Sequence, residues 1–222
     1  MLIWIPKLEK DNRETTGYRT SRNKMLKKAF ALIGFLFVSS AIASDSYNQY
    51  LSLMGFKLEE TDLYKIQEKL GDNDIQQTVN VTGPKYSICY FIDNNKTTIQ
   101  FESGVMGGRQ HQLLAYSVRI DKDKPKKCET LSVSDKSIDL GVLRLGNDIN
   151  VVKKSLPQPV EDIPGYGYLH KHFYQIPFST KDIERTGVKD MSQAFWSVSI
   201  YIEVFENQGK VTGYKVSKQT SW

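Results

Sequence analysis

Apolar residues return at helical spacing in two short windows of the chain and alternate with polar residues in several longer ones. Leu63, Ile66 and Leu70 stand at i, i+3 and i+7, and Ile149, Val152 and Leu156 repeat that spacing 86 residues later. Each set draws one apolar stripe along a short helix, the stripe that a helix buries. Asp62 and Asp148 come just before the stripes, where a side-chain oxygen can accept hydrogen bonds from the free amides of a first turn. Gly71 and Pro157 follow as terminators. The lead-ins Gly55-Phe56-Lys57-Leu58 and Gly141-Val142-Leu143-Arg144 keep the 86-residue offset without a gap, which points to an internal duplication.

Strand patterns follow each helix. Behind the first come Ser87 to Ile92, a turn at Asp93-Asn94-Asn95-Lys96, Thr97 to Glu102, and Leu113 to Ile120. Behind the second come Tyr168 to Tyr174, a long connection, Phe195 to Phe205, a turn at Glu206-Asn207-Gln208-Gly209, and Lys210 to Lys218. In the clearest of them Trp196, Val198, Ile200, Ile202 and Val204 point one way and Ser197, Ser199, Tyr201 and Glu203 the other. Such alternation marks an antiparallel sheet with one covered and one wet face. The expected fold is therefore α+β: two tandem helix-plus-antiparallel-sheet repeats, residues 44–130 and 131–222, with the helices packed on one face of the sheet.

The lead-ins Leu58-Glu59-Glu60-Thr61-Asp62-Leu63 and Leu145-Gly146-Asn147-Asp148-Ile149 resemble the leucine-glycine, cap and helix pattern of tandem-repeat proteins with the beta-lactamase inhibitor protein fold. Small outer-membrane assembly lipoproteins of the SmpA/OmlA type share that pattern. The resemblance spans Gly55 to about Lys218 and departs at Glu59, where glycine is usual, and at Pro157. Phe101 to Gly108, FESGVMGG, together with Cys89 and Cys128 resembles uncharacterised exported proteins of Gram-negative bacteria, a family that brings no activity with it.

Ahead of the repeats, residues 25–43 read as a secretory leader. Lys27 and Lys28 precede the apolar run Ala29 to Val38, and Ala41-Ile42-Ala43 forms a small-x-small cleavage site, so the mature chain is expected to begin at Ser44. Residues 1–24 are polar and charged and read as an upstream extension of the natural start at Met25. The apolar run is shorter than the roughly 20 residues that span a bilayer, and Ser44 is not a cysteine that could be acylated. A soluble periplasmic protein with no membrane anchor after cleavage is the expectation.

Removing the leader changes the charge. The whole chain has a formal net charge of +5, but residues 44–222 contain 22 basic and 22 acidic side chains. The basic excess belongs to the leader, so nucleic acid is not an expected partner. Lys122, Lys124, Lys126 and Lys127 read as a solvated loop interrupted by aspartates and Pro125. Two cysteines, Cys89 and Cys128, in an exported chain point to a disulfide closing a loop of about 40 residues.

Chemistry-bearing sets are sparse. His170 and His172 could share a strand face as metal ligands, but His111 has no spacing that joins them, and no metal or cofactor is expected. Gly104, Gly107 and Gly108 lack the lysine ending of a phosphate loop and read as bulge or turn glycines. Glu102 and Glu203 are isolated strand carboxylates, and no catalytic residue is assigned. A binding face is the better reading: Tyr168, His170, His172 and Tyr174 share one parity, Leu169 and Phe173 make the better core pair, and Tyr201 lies on the wet side of its strand. These five aromatic and histidine side chains are expected on the face opposite the helices, contacting another periplasmic protein. An inhibitor or immunity protein against a hydrolase, and a hydrolase with a site assembled from distant residues, are the alternatives.

Overall fold

The apolar stripes and alternations meet in one core. The computed structural model describes residues 47–156, 160–163, 167–187 and 194–221; the leader, Ser44 and Pro157 lie outside the described residues. Among the described residues eleven strands run in chain order as β1 Ser52–Leu53, β2 Phe56–Lys57, β3 Gln76–Asn80, β4 Gly83–Ile92, β5 Thr97–Ser103, β6 Ala115–Ile120, β7 Glu129–Thr130, β8 Val160–Ile163, β9 Gly167–Pro177, β10 Phe195–Asn207 and β11 Lys210–Ser221. Three α-helices are described: α1 Leu63–Leu70, α2 Ile149–Ser155 and α3 Thr180–Thr186. The fold is mixed helix and sheet, and the sheet is mostly antiparallel.

The nine-stranded sheet has the order β3-β4-β5-β6-β11-β10-β9-β8, with β7 off this path, pairing parallel to β4 at Tyr90 and Phe91. Its centre is the antiparallel β6–β11 pair, Tyr116 opposite Val216 and Val118 opposite Tyr214. All four of these side chains are buried. One row of each central strand feeds the core: Ile88, Tyr90 and Ile92 of β4, Ile99 and Phe101 of β5, and Val198, Ile200, Ile202 and Val204 of β10. Leu63 and Ile66 of α1 and Ile149 and Val152 of α2 join the same cluster, so both helices lie on that side of the sheet.

Local chemistry places each helix start. The Asp62 carboxylate accepts from the Lys65 amide at 2.8 Å, and that of Asp148 from the Asn150 amide at 2.9 Å, satisfying amides that have no partner within the helix. The segment before α1 is fastened to the sheet by Glu59 N–H donating to Leu113 O, Leu113 N–H to Thr61 O and Leu63 N–H to His111 O. Before α2 the set is Gly146 N–H to Val211 O, Val211 N–H to Asn147 O and Ile149 N–H to Gly209 O. One residue, Glu60, separates Glu59 from Thr61, where Gly146 and Asn147 are adjacent. The ungapped match expected from the sequence therefore fails by one residue in this stretch.

Glu59 has φ +63 and Gly146 φ +82, both left-handed. Glycine takes that conformation without cost, whereas a side chain is strained by roughly 1–2 kcal/mol.

The long connection between β9 and β10 contains α3. Ser179 accepts from the Asp182 amide while the Asp182 carboxylate accepts from the Ser179 amide, a complete capping box, and Gly187 at φ +70 ends the helix. None of its residues is buried, so it has no apolar stripe for a periodicity search to find. Its Arg185 guanidinium lies 5.3 Å from the Trp196 ring centre.

Candidate functional site

Register settles which side chains share a face. In the β9–β10 pair Tyr168 is opposite Val204, His170 opposite Ile202, His172 opposite Ile200 and Tyr174 opposite Val198. Residues directly opposite one another project from the same side. Tyr168, His170, His172 and Tyr174 therefore lie on the core side with the helices, while Tyr201 faces the other way, opposite Lys171. The expected five-residue aromatic face does not form. Leu169 and Phe173 point away from the core, and Phe173 is 62% exposed.

A histidine can occupy the covered side because its ring is satisfied there. His170 is fully buried, with Nε2 3.0 Å from the Tyr47 hydroxyl. Tyr47 also stacks on the half-buried His172, centroids 4.1 Å apart and planes 16° apart, and Tyr174 lies 5.3 Å beyond. Burial, and then neighbouring His170, hold the His172 imidazole below its ordinary value. The third histidine, His111, is far along the chain and packs at 3.9 Å against Tyr86. No group of three or more His, Cys, Asp or Glu side chains gathers to hold a metal ion among the described residues.

The side of the sheet away from the helices carries a different set. Phe173 meets Tyr201 edge to face at 5.8 Å and 90°. Ser197, Ser199 and Glu203 on β10, Lys171 on β9 and Ser217 on β11 share this side by register and are half-buried or exposed. At its far edge Cys89 and Phe91 of β4 are covered by Cys128, and Cys89 and Cys128 stand at disulfide distance, with Cα atoms 4.6 Å apart. That geometry is compatible with the expected bond. Lys122, Lys124, Lys126 and Lys127 of the loop leading to it are exposed, as expected.

On the same side Glu102 of β5 is only 7% exposed, and two lysines hold it. Lys85 Nζ of β4 lies 2.7 Å from Oε1 and Lys215 Nζ of β11 2.6 Å from Oε2. Burial pushes this carboxyl up, but Lys215 and Lys85 outweigh it and keep it below the usual carboxylate range. The three charges floor a groove of about 450 Å³ whose other walls include Pro84, Val105, Met106 and Leu114. An ionised, doubly paired carboxylate is poorly suited to give or take a proton near neutral pH, but it fixes two ammonium groups side by side. Glu102 had the appearance of an isolated strand residue because its partners are 17 and 113 positions away.

The glycine-rich stretch after Glu102 bounds this groove for a packing reason. It turns through a short 3₁₀ helix, Val105–Gly107, and a Cβ on Gly107 would lie 2.1 Å from Ser103 Oγ and 2.8 Å from Gln112 O. Gly108 takes φ +62. The expected role of turn glycines holds at Gly108, and Gly107 serves close approach.

No family model, no curated protein and no solved structure matches the chain. No helix among the described residues is long and apolar enough to cross a membrane.

Proposed function

We propose that this protein is a noncatalytic binding module that works in the periplasm and takes another protein on the sheet face left open by the helices. The observation that carries this reading is the exposed Phe173 held edge to face against Tyr201 on that face. An aromatic pair among serine, lysine and glutamate side chains offers apolar contact area at low entropy cost, which is the composition of an interface anchor. Tyr201 keeps the role proposed from the sequence; Tyr168, His170, His172 and Tyr174 pass to the covered side.

Export through the leader at 25–43 gives the address, and the Cys89–Cys128 pair suits an oxidising compartment. The architecture fits two αβ repeats, 44–130 and 131–222, because the strand order reads the same from either edge when β3, β4, β5 and β6 are equated with β8, β9, β10 and β11. Tyr116 and Tyr214 add support: each donates its hydroxyl to a backbone carbonyl ahead of a helix, Tyr50 O and Ile138 O respectively.

The test is a double substitution, Phe173→Ala with Tyr201→Ala, in protein whose melting curve stays close to wild type. Capture from periplasmic extract should lose a partner that the wild type retains. Retention of the same partner with unchanged affinity would remove this face from consideration.

A further inference from the structure

We propose that the groove floored by Lys85, Glu102 and Lys215 binds the carboxylate of an aliphatic acid, a ligand class separate from the protein partner of the open face. Charge complementarity carries the proposal. Among the described residues lining the groove the only charged groups are these three, which leaves one net positive charge. Each lysine ammonium has three N–H donors. Glu102 engages one from each, at 2.7 and 2.6 Å, and so holds the remaining donors of both beside one another. The Lys85 and Lys215 side chains are 38% and 26% exposed, so those donors can be reached from the groove. Joining β4 to β5, or β5 to β11, needs one lysine at a time; two lysines on one carboxylate leave a positive surplus in a partly desolvated place.

The apolar end of the ligand is set by what surrounds this charge. Val105 and Met106, on the turn above the groove, are 60% and 50% exposed, an unusual pair of apolar side chains beside an ionic cluster. Val105 is backed by Gly83, where an added Cβ would fall 2.8 Å from its Cγ2, so the wall is held against the β3–β4 hairpin. A cleft of about 450 Å³ lies within the ordinary range of small-molecule sites, about 300–1,000 Å³. A carboxylate brings one negative charge and matches the single surplus. A phosphate monoester brings about −1.5 to −2 near neutral pH and would place excess negative charge against Glu102.

Decanoate is the probe, titrated below its micelle concentration into the purified protein while backbone amide resonances are followed. Saturable shifts centred on Gly83, Val105 and Lys215 are expected, with decanol, acetate, decyl phosphate and decyltrimethylammonium each at least about tenfold weaker. Lys85→Met combined with Lys215→Met should raise the decanoate Kd at least about tenfold. Val105→Asp, a substitution at an exposed wall that leaves both lysines in place, should do the same and stands in should the lysine variant fail to fold. Equal binding of decanol or the cationic amphiphile, tighter binding of decyl phosphate, absence of saturable shifts, or an unchanged Kd in a folded variant would each overturn the proposal.

Discussion

Thr220 donates both its backbone N–H and its hydroxyl to the Glu59 carboxylate, each at 2.7 Å, across 161 residues of chain. Lys218 Nζ adds an ion pair to the same carboxylate at 2.9 Å. The segment that starts α1 is thereby fastened to the last residues of β11, and the fastening residue sits in a strained left-handed conformation at φ +63. Strain is tolerated where surrounding bonds over-determine it. Glu59 is thus the departure from the glycine expected at this place, and its side chain supplies the compensation.

Substitution can separate the two effects. Glu59→Ala keeps the strain and loses the bonds, and should destabilise by about 2 kcal/mol, the scale for hydrogen bonds to a charged group. Glu59→Gly loses the same bonds but relieves the strain, and should be about 1 kcal/mol less damaging. Urea denaturation measures both. Equal losses would mean that the left-handed backbone is not strained here, and no loss in either would make the Thr220 contact inconsequential.

The core helices give a sharper contrast between neighbours. Ile66 and Val152 are fully buried, whereas Val151 is 53% exposed on the next position of α2. Ile66→Ala should cost about 2–5 kcal/mol. Val152→Ala should cost about 1 kcal/mol less, reflecting one fewer buried methylene. Val151→Ala should stay within about 0.5 kcal/mol of wild type. Comparable effects at Val151 and Val152 would contradict the packing described for α2.

Cys89 and Cys128 stand at disulfide distance 39 positions apart in the chain, and the expected bond would close that stretch into a loop. Loss of that closure through Cys89→Ser should cost about 3–4 kcal/mol in the chain-entropy account. Nonreducing peptide mapping should recover the two cysteines in one linked fragment. Two thiols that react with an alkylating agent in the native protein would rule the bond out.

The residues that were legible in the sequence are those whose partners are close by or whose environment is simple. Asp62 and Asp148 cap helices through amides two or three positions away, and Val198, Ile200, Ile202 and Val204 alternate cleanly into the core. The turn at Asp93 to Lys96 follows from composition, and β4 and β5 meet there with Ile92 opposite Thr97. Orientation of β9 was not legible. Its two rows are Leu169 with Phe173 and Tyr168 with His170, His172 and Tyr174, and apolarity favours the wrong one inside. The deciding partner, Tyr47, lies 123 residues from His170 and satisfies a ring that would otherwise be costly to bury. The Lys85–Glu102–Lys215 cluster escaped for a similar reason: nothing local to Glu102 announces two lysines.

The half-buried His172 makes stability depend on pH. The His172 imidazole is held below its ordinary value, chiefly by burial and then by His170, so the unfolded chain binds a proton there more readily than the folded one. Stability is then fully present above the unfolded value near 6.5 and declines as pH falls through it toward the lower folded value. Glu102 has the same sign but acts at lower pH, since its carboxyl is held below the usual carboxylate range. The buried tyrosines shift upward and titrate far on the alkaline side, Tyr90 being pushed up to about 12 by burial and then by Asp72 and Glu129. Between pH 7.5 and 5.5, roughly the histidine range, the melting temperature should therefore fall. His172→Phe keeps a ring against Tyr47 but has no proton to gain, and its melting temperature should fall less over that interval. An equally steep decline in the variant would show that His172 is not the titrating group, and a flat wild-type profile would show that the stacked row does not resist protonation.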